Sequence, residues 1–415
     1  SFATLAMNRG EQISAIWLIT AAVSVYCIAY RYYSLYIAKT VMELDPNRLT
    51  PAERHNDGLD YVPTSKGVLF GHHFAAIAGA GPLVGPVLAA QMGYLPGTLW
   101  IIFGVVFAGA VQDMTAMFIS MRRDGRSLGD IVKQELGTVP GLIASFGILM
   151  IMVILLAVLA LIVVKALVHS PWGTFTIAAT IPIAFFMGLY SRYIRPGKVG
   201  EISVVGFILL ILSIVYGGQI ANTSFGSLFD LDGITLAWAL MIYGFVASVL
   251  PVWLLLTPRD YLSTFLKIGT IAGLALAILI VNPPLQMPAL TKFIDGTGPV
   301  FSGNLFPFLF ITIACGSISG FHALVASGTT PKMLENETHV RMIGYGAMLM
   351  ESFVAIMALI AASSLDPGVY FAMNSPAALI GKDVVQAANV ITNQLGFPVT
   401  DVALSGIAKE VGEST

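Results

Sequence analysis

Charge is scarce in this chain. Only 11% of its 415 residues are Asp, Glu, Lys or Arg, against roughly 25% in soluble domains, which excludes an ordinary water-soluble globule. Cysteine is nearly absent. Cys27 and Cys315 both fall within apolar runs, so a disulfide framework and a CxxC motif are excluded, and both thiols are expected to be buried and inert. A net charge of -2 without a basic block excludes a nucleic-acid surface. An HExxH pairing is missing, and the adjacent His72 and His73 project from different helix faces. No metal, cofactor or catalytic group is therefore expected. A cleavable signal peptide is not visible, and the opening SFATLAMNRG reads as the tail of an apolar segment that starts upstream.

Apolar residues are abundant. They make up 56% of the chain, and the mean hydropathy is +0.83. Runs of about 20 apolar residues recur, each long enough to cross a hydrocarbon core of about 30 Å. They lack the alternation of barrel strands. The expected fold is all-α, a polytopic membrane helix bundle. Ten spans are read at 12–38, 67–93, 97–121, 139–166, 172–191, 200–221, 234–256, 262–282, 304–328 and 341–364. An amphipathic piece, Ser127 to Gly137, separates the third and fourth, and a polar tail follows the last. Of the 21 Lys and Arg residues, only Arg9, Lys165, Lys292, Lys382 and Lys409 fall in one alternating set of loops. The other sixteen mark the opposite set as cytosolic. Residues 1–364 are thus expected to form the transmembrane domain and 365–415 an extracytoplasmic loop, with further spans missing at both ends.

Ionisable groups inside spans are costly and point to function by default. Counted at about 1.5 Å per residue from the nearest cytosolic charge, His73 lies about 10 Å deep and Asp113 about 13 Å. His322 and Glu351 lie about 15 Å deep on the same count. Four spans thus bring titratable groups to one level, with His72 beside them, which favours a shared polar site. Each histidine could instead bridge helices, and Asp113, next to Gln112, could be a structural partner. His55, His169 and His339 fall at loops or span ends.

Two spans carry breaks. GHHFAAIAGAGPLVGP, Gly71 to Pro86, places Gly79 and Gly81-Pro82 mid-span. Pro is tolerated in a first helical turn, so a half-helix can start at Pro82 with its positive end toward an anion. Close helix packing at Gly81-xxx-Gly85 is the competing reading. CGSISGFHALVASGTTP, Cys315 to Pro331, matches the first segment at Gly71/Gly320, His73/His322, Gly79/Gly328 and Pro82/Pro331, all at one offset of 249. Its Ser317, Ser319, Thr329 and Thr330 offer oxygen ligands. Pro251 is expected to kink the seventh span. Arg259 and Asp260, in a loop from Thr257 to Lys267, could gate the cytosolic side or form a solvated ion pair. Asp57, Asp60 and Tyr61 could line an entrance.

The longest motifs resemble the carbon starvation protein A family: RHNDGLDYVPTSKGVLFGHHFAAIAGAGPLVGPVLAAQMGYLPG, AGAVQD, RRDGRSLG, LPVWLLLTPRDYLSTFLKIGT, FPFLFITIACGSISGFHALVASGTTPKML and GYGAMLMESFVAIMAL. The resemblance covers nearly the whole chain, and family members are longer at both ends. It implies a multi-pass secondary transporter of the bacterial inner membrane, in the amino acid–polyamine–cation superfamily with a LeuT-like arrangement. It also implies peptide uptake during carbon starvation or proton-coupled pyruvate import. It assigns no coupling residue. From the residues themselves, Gly79, Gly81, Pro82, His73, His322, Ser317 and Ser319 are expected to bind substrate. Asp113, Glu351, His73 and His322 are expected to carry protons. Sodium is an alternative ion, and a channel, a nutrient sensor or, less favoured, a membrane metalloenzyme are alternative functions. The expected partners are a small-molecule substrate and the lipid bilayer, with no nucleic acid.

Overall fold

The computed structural model describes residues 13–412, with side chains through Lys409; Arg9 and the reading of SFATLAMNRG lie outside the described residues. The described residues are helical, with two isolated bridges, Ser14 to Pro284 and Thr64 to Leu334, in place of strands. Among the described residues, seven helices are long and apolar enough to cross a membrane: α1 (Ala15–Val41), α4 (Tyr94–Arg122), α6 (Thr138–Leu167), α7 (Pro171–Ile194), α8 (Val199–Ala221), α10 (Leu256–Val281) and α13 (Glu337–Ser364). A bent pair, α2 (Lys66–Ile77) and α3 (Gly81–Ala89), is long and apolar enough when taken together, with a 46° angle at its break. The remaining helices that matter here are α5 (Leu128–Leu136), α9 (Gly233–Val249), α11 (Ala314–Ser317), α12 (Gly320–Ala326), α14 (Pro367–Asn374), α15 (Val384–Val390) and α16 (Asp401–Gly412).

Besides 67–93, which is the bent pair, two of the ten expected spans are not simple helices. The stretch 304–328 is split into short pieces that leave the helical conformation at Ile318–Ser319 and again after Ala326. Span 234–256 ends at Val249, because Leu250 is driven extended (ψ 151°) by the ring of Pro251. Pro251 therefore terminates α9 rather than kinking it. The expected loop Thr257–Lys267 is the opening of α10, whose Pro258 sits in the first turn, where its missing N–H costs nothing.

The buried centre is α13. It presents Gly344, Ala347, Ala355, Ala358 and Ala362 to its neighbours, small residues that let backbones approach where lipid supplies no hydrophobic drive. A Cβ at Gly344 would stand 2.7 Å from the Met114 Cα on α4. Tyr345 donates to the Val106 carbonyl at 3.0 Å, and Tyr26 shares a hydrogen bond with Ser352 at 2.6 Å. α6 is the opposite case. Its apolar residues face outward all round, with only Gly141 and Leu167 buried, as a lipid-facing helix requires.

The segment 365–415 is more than a polar tail. Tyr370 is fully buried and donates to the Val87 and Leu88 carbonyls at 2.7 and 3.1 Å, tying α14 to the end of α3. Phe371 stacks on Phe397 and meets Phe293 edge to face. Cys27 is exposed on α1 and Cys315 only half-buried, which corrects the expectation of two buried thiols. The helical period that places Tyr26 inward turns its neighbour outward.

Candidate functional site

The two breaks meet across the bundle. α2 leaves the helix at Ala78–Ala80, and α3 starts at Gly81 with Pro82 in its first turn. A Cβ at Gly81 would lie 2.5 Å from Cys315 Sγ, and one at Gly85 would collide with the Thr312 carbonyl oxygen. Gly81 and Gly85 are therefore packing positions that let α11 press on the half-helix. Gly79 differs. It is exposed, and a Cβ there would meet nothing within 4 Å. Gly320, at the second break, is open in the same way. The offset of 249 has a structural counterpart. α2 ends before the irregular stretch Ala78–Ala80, α12 ends before the turn Ser327–Thr329, and Pro82 and Pro331 each open the next helical turn.

Three of the four ionisable side chains converge. His322, in the first turn of α12, places Nδ1 3.2 Å from Asp113 Oδ2 on α4 and Nε2 3.0 Å from Glu351 Oε2 on α13. All three side chains have zero exposure. Cys315, one turn before the break, donates its thiol proton toward Glu351 Oε1 at 3.4 Å and lies 3.9 Å from His322 Nε2. The Met348 sulfur is 3.1 Å from Nδ1. Close backbone approach makes this possible, since a Cβ at Gly109 of α4 would collide with the Ser317 carbonyl oxygen. Both helices that carry the carboxylates contain a π-helical turn shortly before the acid, at Val105–Gly109 and Arg341–Gly346. Such turns re-aim the residues that follow and recur at functional sites.

His73 takes a different partner, with Nδ1 2.9 Å from Thr330 Oγ1. Its Nε2, like Asp113 Oδ1, is buried without a hydrogen-bond partner among the described residues. Two of the remaining oxygen candidates have partners. Ser317 Oγ donates to the Ile313 carbonyl at 3.1 Å, and the Ser319 carbonyl accepts from Gln112 Nε2 at 2.5 Å. Thr329 is half-buried.

Arg259 and Asp260 do not pair with each other. Arg259 donates to Tyr243 Oη at 2.8 Å and Thr180 Oγ1 at 3.2 Å, with its guanidinium over the Tyr243 ring. Asp260 lies 3.1 Å from His72 Nδ1. Successive residues on α10 point to different faces, so the expected ion pair is replaced by two separate contacts. Asp57, Asp60 and Tyr61 build a turn: the Asp57 carboxylate accepts N–H bonds from Leu59, Asp60 and Tyr61, which hold its carboxyl below the usual range. Tyr61 donates to the Asp124 carbonyl at 2.9 Å.

The sequence expectation omits two residues of the site. It treats Cys315 as inert, yet the thiol faces Glu351. It counts Lys267 with the loop cations, yet the ammonium donates to the Ala75 and Ala78 carbonyls, both at 2.8 Å, at the C-terminal end of α2. Those carbonyls are freed by the break, and a cation suits the negative end of a helix. Asp260, Thr264 and Lys267 form one face of α10 at positions i, i+4 and i+7. They meet His72, the Gly71 carbonyl and the carbonyls of the break in turn. That polar stripe in an apolar helix is a signal the sequence carries.

A sequence model of the family described as carbon starvation protein CstA matches residues 14–415. The chain is 66% identical over 99% of its length to a peptide transporter CstA of Escherichia coli, and spans 59% of that protein. It is 61% identical over 99% of its length to a pyruvate/proton symporter BtsT of Escherichia coli, spanning 60% of it, and 54% identical over its full length to a peptide transporter CstA of Mycobacterium tuberculosis, spanning 55% of it. No solved structure matches. The chain belongs to the carbon starvation protein CstA family.

Proposed function

We propose that this member of the family is, or is the greater part of, a proton-coupled secondary transporter of the bacterial inner membrane. It would import peptides or a small carboxylate such as pyruvate during carbon starvation, by alternating access in a LeuT-like arrangement. One observation carries the reading: a single imidazole held between two carboxylates, all fully buried, at the junction of two broken spans. One proton on His322 neutralises one carboxylate. The second carboxylate needs a second proton or an incoming cation, so the cluster has a built-in reason to take up and release a proton. The names of the relatives, peptide transporter and pyruvate/proton symporter, support the same class.

Sodium coupling is less favoured because several of the oxygens it would use have partners already. The Ala75 and Ala78 carbonyls hold the Lys267 ammonium, and Ser317 and Thr330 are tied to Ile313 and His73. In this proposal the substrate sits by the open Gly79 and Gly320. His73 Nε2 and Asp113 Oδ1, buried without a partner among the described residues, would meet its polar ends once the site opens, and Gly81, Pro82, Ser317 and Ser319 would form the wall. Arg259 and Asp260 would gate through Tyr243 and His72. The test is uptake of labelled pyruvate and of di- and tripeptides into proteoliposomes, with and without a proton gradient. Gradient-driven accumulation of one of them is expected; failure to move either would overturn the proposal, and gradient-independent flux would mark a channel.

A further inference from the structure

We propose that Cys315, His322 and Glu351 form a binding site for a thiophilic divalent metal ion of the zinc type, with Asp113 orienting the histidine. The three potential ligand atoms lie within 4.8 Å of one another. Sγ lies 3.9 Å from Nε2, and the Glu351 carboxylate meets both of them, with Oε1 3.4 Å from Sγ and Oε2 3.0 Å from Nε2. A tetrahedral zinc ion with one sulfur, one nitrogen and one oxygen ligand spaces those donors at about 3.4–3.6 Å, so a turn of the carboxylate that presents one oxygen to both partners would seat it. The contact between Nε2 and Oε2 is close, yet Oε2 makes no aligned hydrogen bond among the described residues. Two lone-pair atoms so placed call for something positive between them. Asp113 meets the other ring nitrogen, the arrangement that fixes the tautomer of a metal-bound histidine and leaves Nε2 free to coordinate.

The thiol has a second support. Its sulfur rests against the position that a Cβ of residue 81 would take, at the start of the half-helix α3, whose positive end suits the charge of a metal-bound sulfur. Binding releases the Cys315 thiol proton and any proton shared by His322 and Glu351, while sulfur, nitrogen and carboxylate oxygen each donate a lone pair to the ion; nothing is oxidised or reduced. The ion is therefore a competitor of protons at this cluster. Its effect on transport rests on the proton-coupling proposal, whereas the site itself rests on the donor geometry.

The test is titration of the purified protein with cobalt(II), a spectroscopic stand-in for zinc, followed by displacement with zinc. A thiolate-to-cobalt charge-transfer band with tetrahedral visible bands is expected, together with proton release in weakly buffered solution. The band should be lost in Cys315→Ala and kept in Cys27→Ser. Asp113→Asn should weaken cobalt binding about 10–100-fold. Absence of the band in the folded wild-type protein, or a band unchanged by Cys315→Ala, would overturn the site. Proton-driven uptake in metal-free buffer is read separately, so failure of the metal site and failure of the coupling proposal are distinguishable.

Discussion

If the cluster couples protons as proposed, Glu351→Gln should separate energy coupling from substrate movement. The cluster has two carboxylates and one imidazole, all without solvent exposure. It is neutral with two protons and carries one negative charge with one, so a cycle between these states moves one proton. The glutamine keeps the shape and can still face His322, but Asp113 and His322 are then neutral with a single shared proton and have no reason to release it. One proton per cycle across one pH unit supplies about 1.4 kcal/mol, a tenfold accumulation. For pyruvate, a monoanion moving with one proton, that is the whole drive, since no net charge crosses. For a zwitterionic peptide the membrane potential adds about 2.3 kcal/mol per 100 mV, about a further fiftyfold. Proteoliposomes with an imposed pH step, with and without a potassium diffusion potential, read both terms. In the variant, gradient-driven accumulation should fall from about tenfold per pH unit to none, while exchange of labelled for unlabelled substrate continues. Tenfold accumulation retained by Glu351→Gln would refute the assignment, and loss of both accumulation and exchange would show that Glu351 is needed for the fold or the substrate instead.

Lys267→Met leaves the Ala75 and Ala78 carbonyls without their donor; each unsatisfied group costs about 1–3 kcal/mol, so the thermal midpoint of the purified protein should drop clearly, and an unchanged midpoint would remove Lys267 from the break. Gly81→Ala drives a methyl to 2.5 Å from Cys315 Sγ, and overpacking of this kind costs about 1–3 kcal/mol. Adding Cys315→Gly, which removes both the sulfur and the Cβ that would stand 2.7 Å from the new methyl, should recover part of that loss, whereas additive effects in the unfolding cycle would show that the two residues do not touch. Tyr370→Phe removes the hydroxyl that bonds the Val87 and Leu88 carbonyls and should cost about 1 kcal/mol, seen as faster hydrogen exchange at the end of α3; unchanged exchange there would mean that α14 is not fastened to α3.

The sequence by itself determined the solvent, the helical class and the family. Scarcity of charge and apolar runs of membrane length force a bundle of spans, because each unpaired backbone group in lipid is costly. The same scarcity made Asp113, His322 and Glu351 conspicuous at a common depth, and the Gly-Pro pairs located the interruption at Ala78–Ala80. Counting residues along an axis gives depth but not azimuth, so it could not separate His73 from the cluster. It also could not see that Arg259 and Asp260, neighbours in the chain, point to different partners. Nor could it reveal that Gly81 and Gly85 serve packing while Gly79 stays open, since that depends on which helix passes each glycine. Tertiary structure alone decided that the Cys315 thiol reaches Glu351 across 36 residues and that the Lys267 ammonium holds carbonyls 189 and 192 residues away. Those contacts arise from helix rotation and close backbone approach, which hydropathy and charge patterns do not encode.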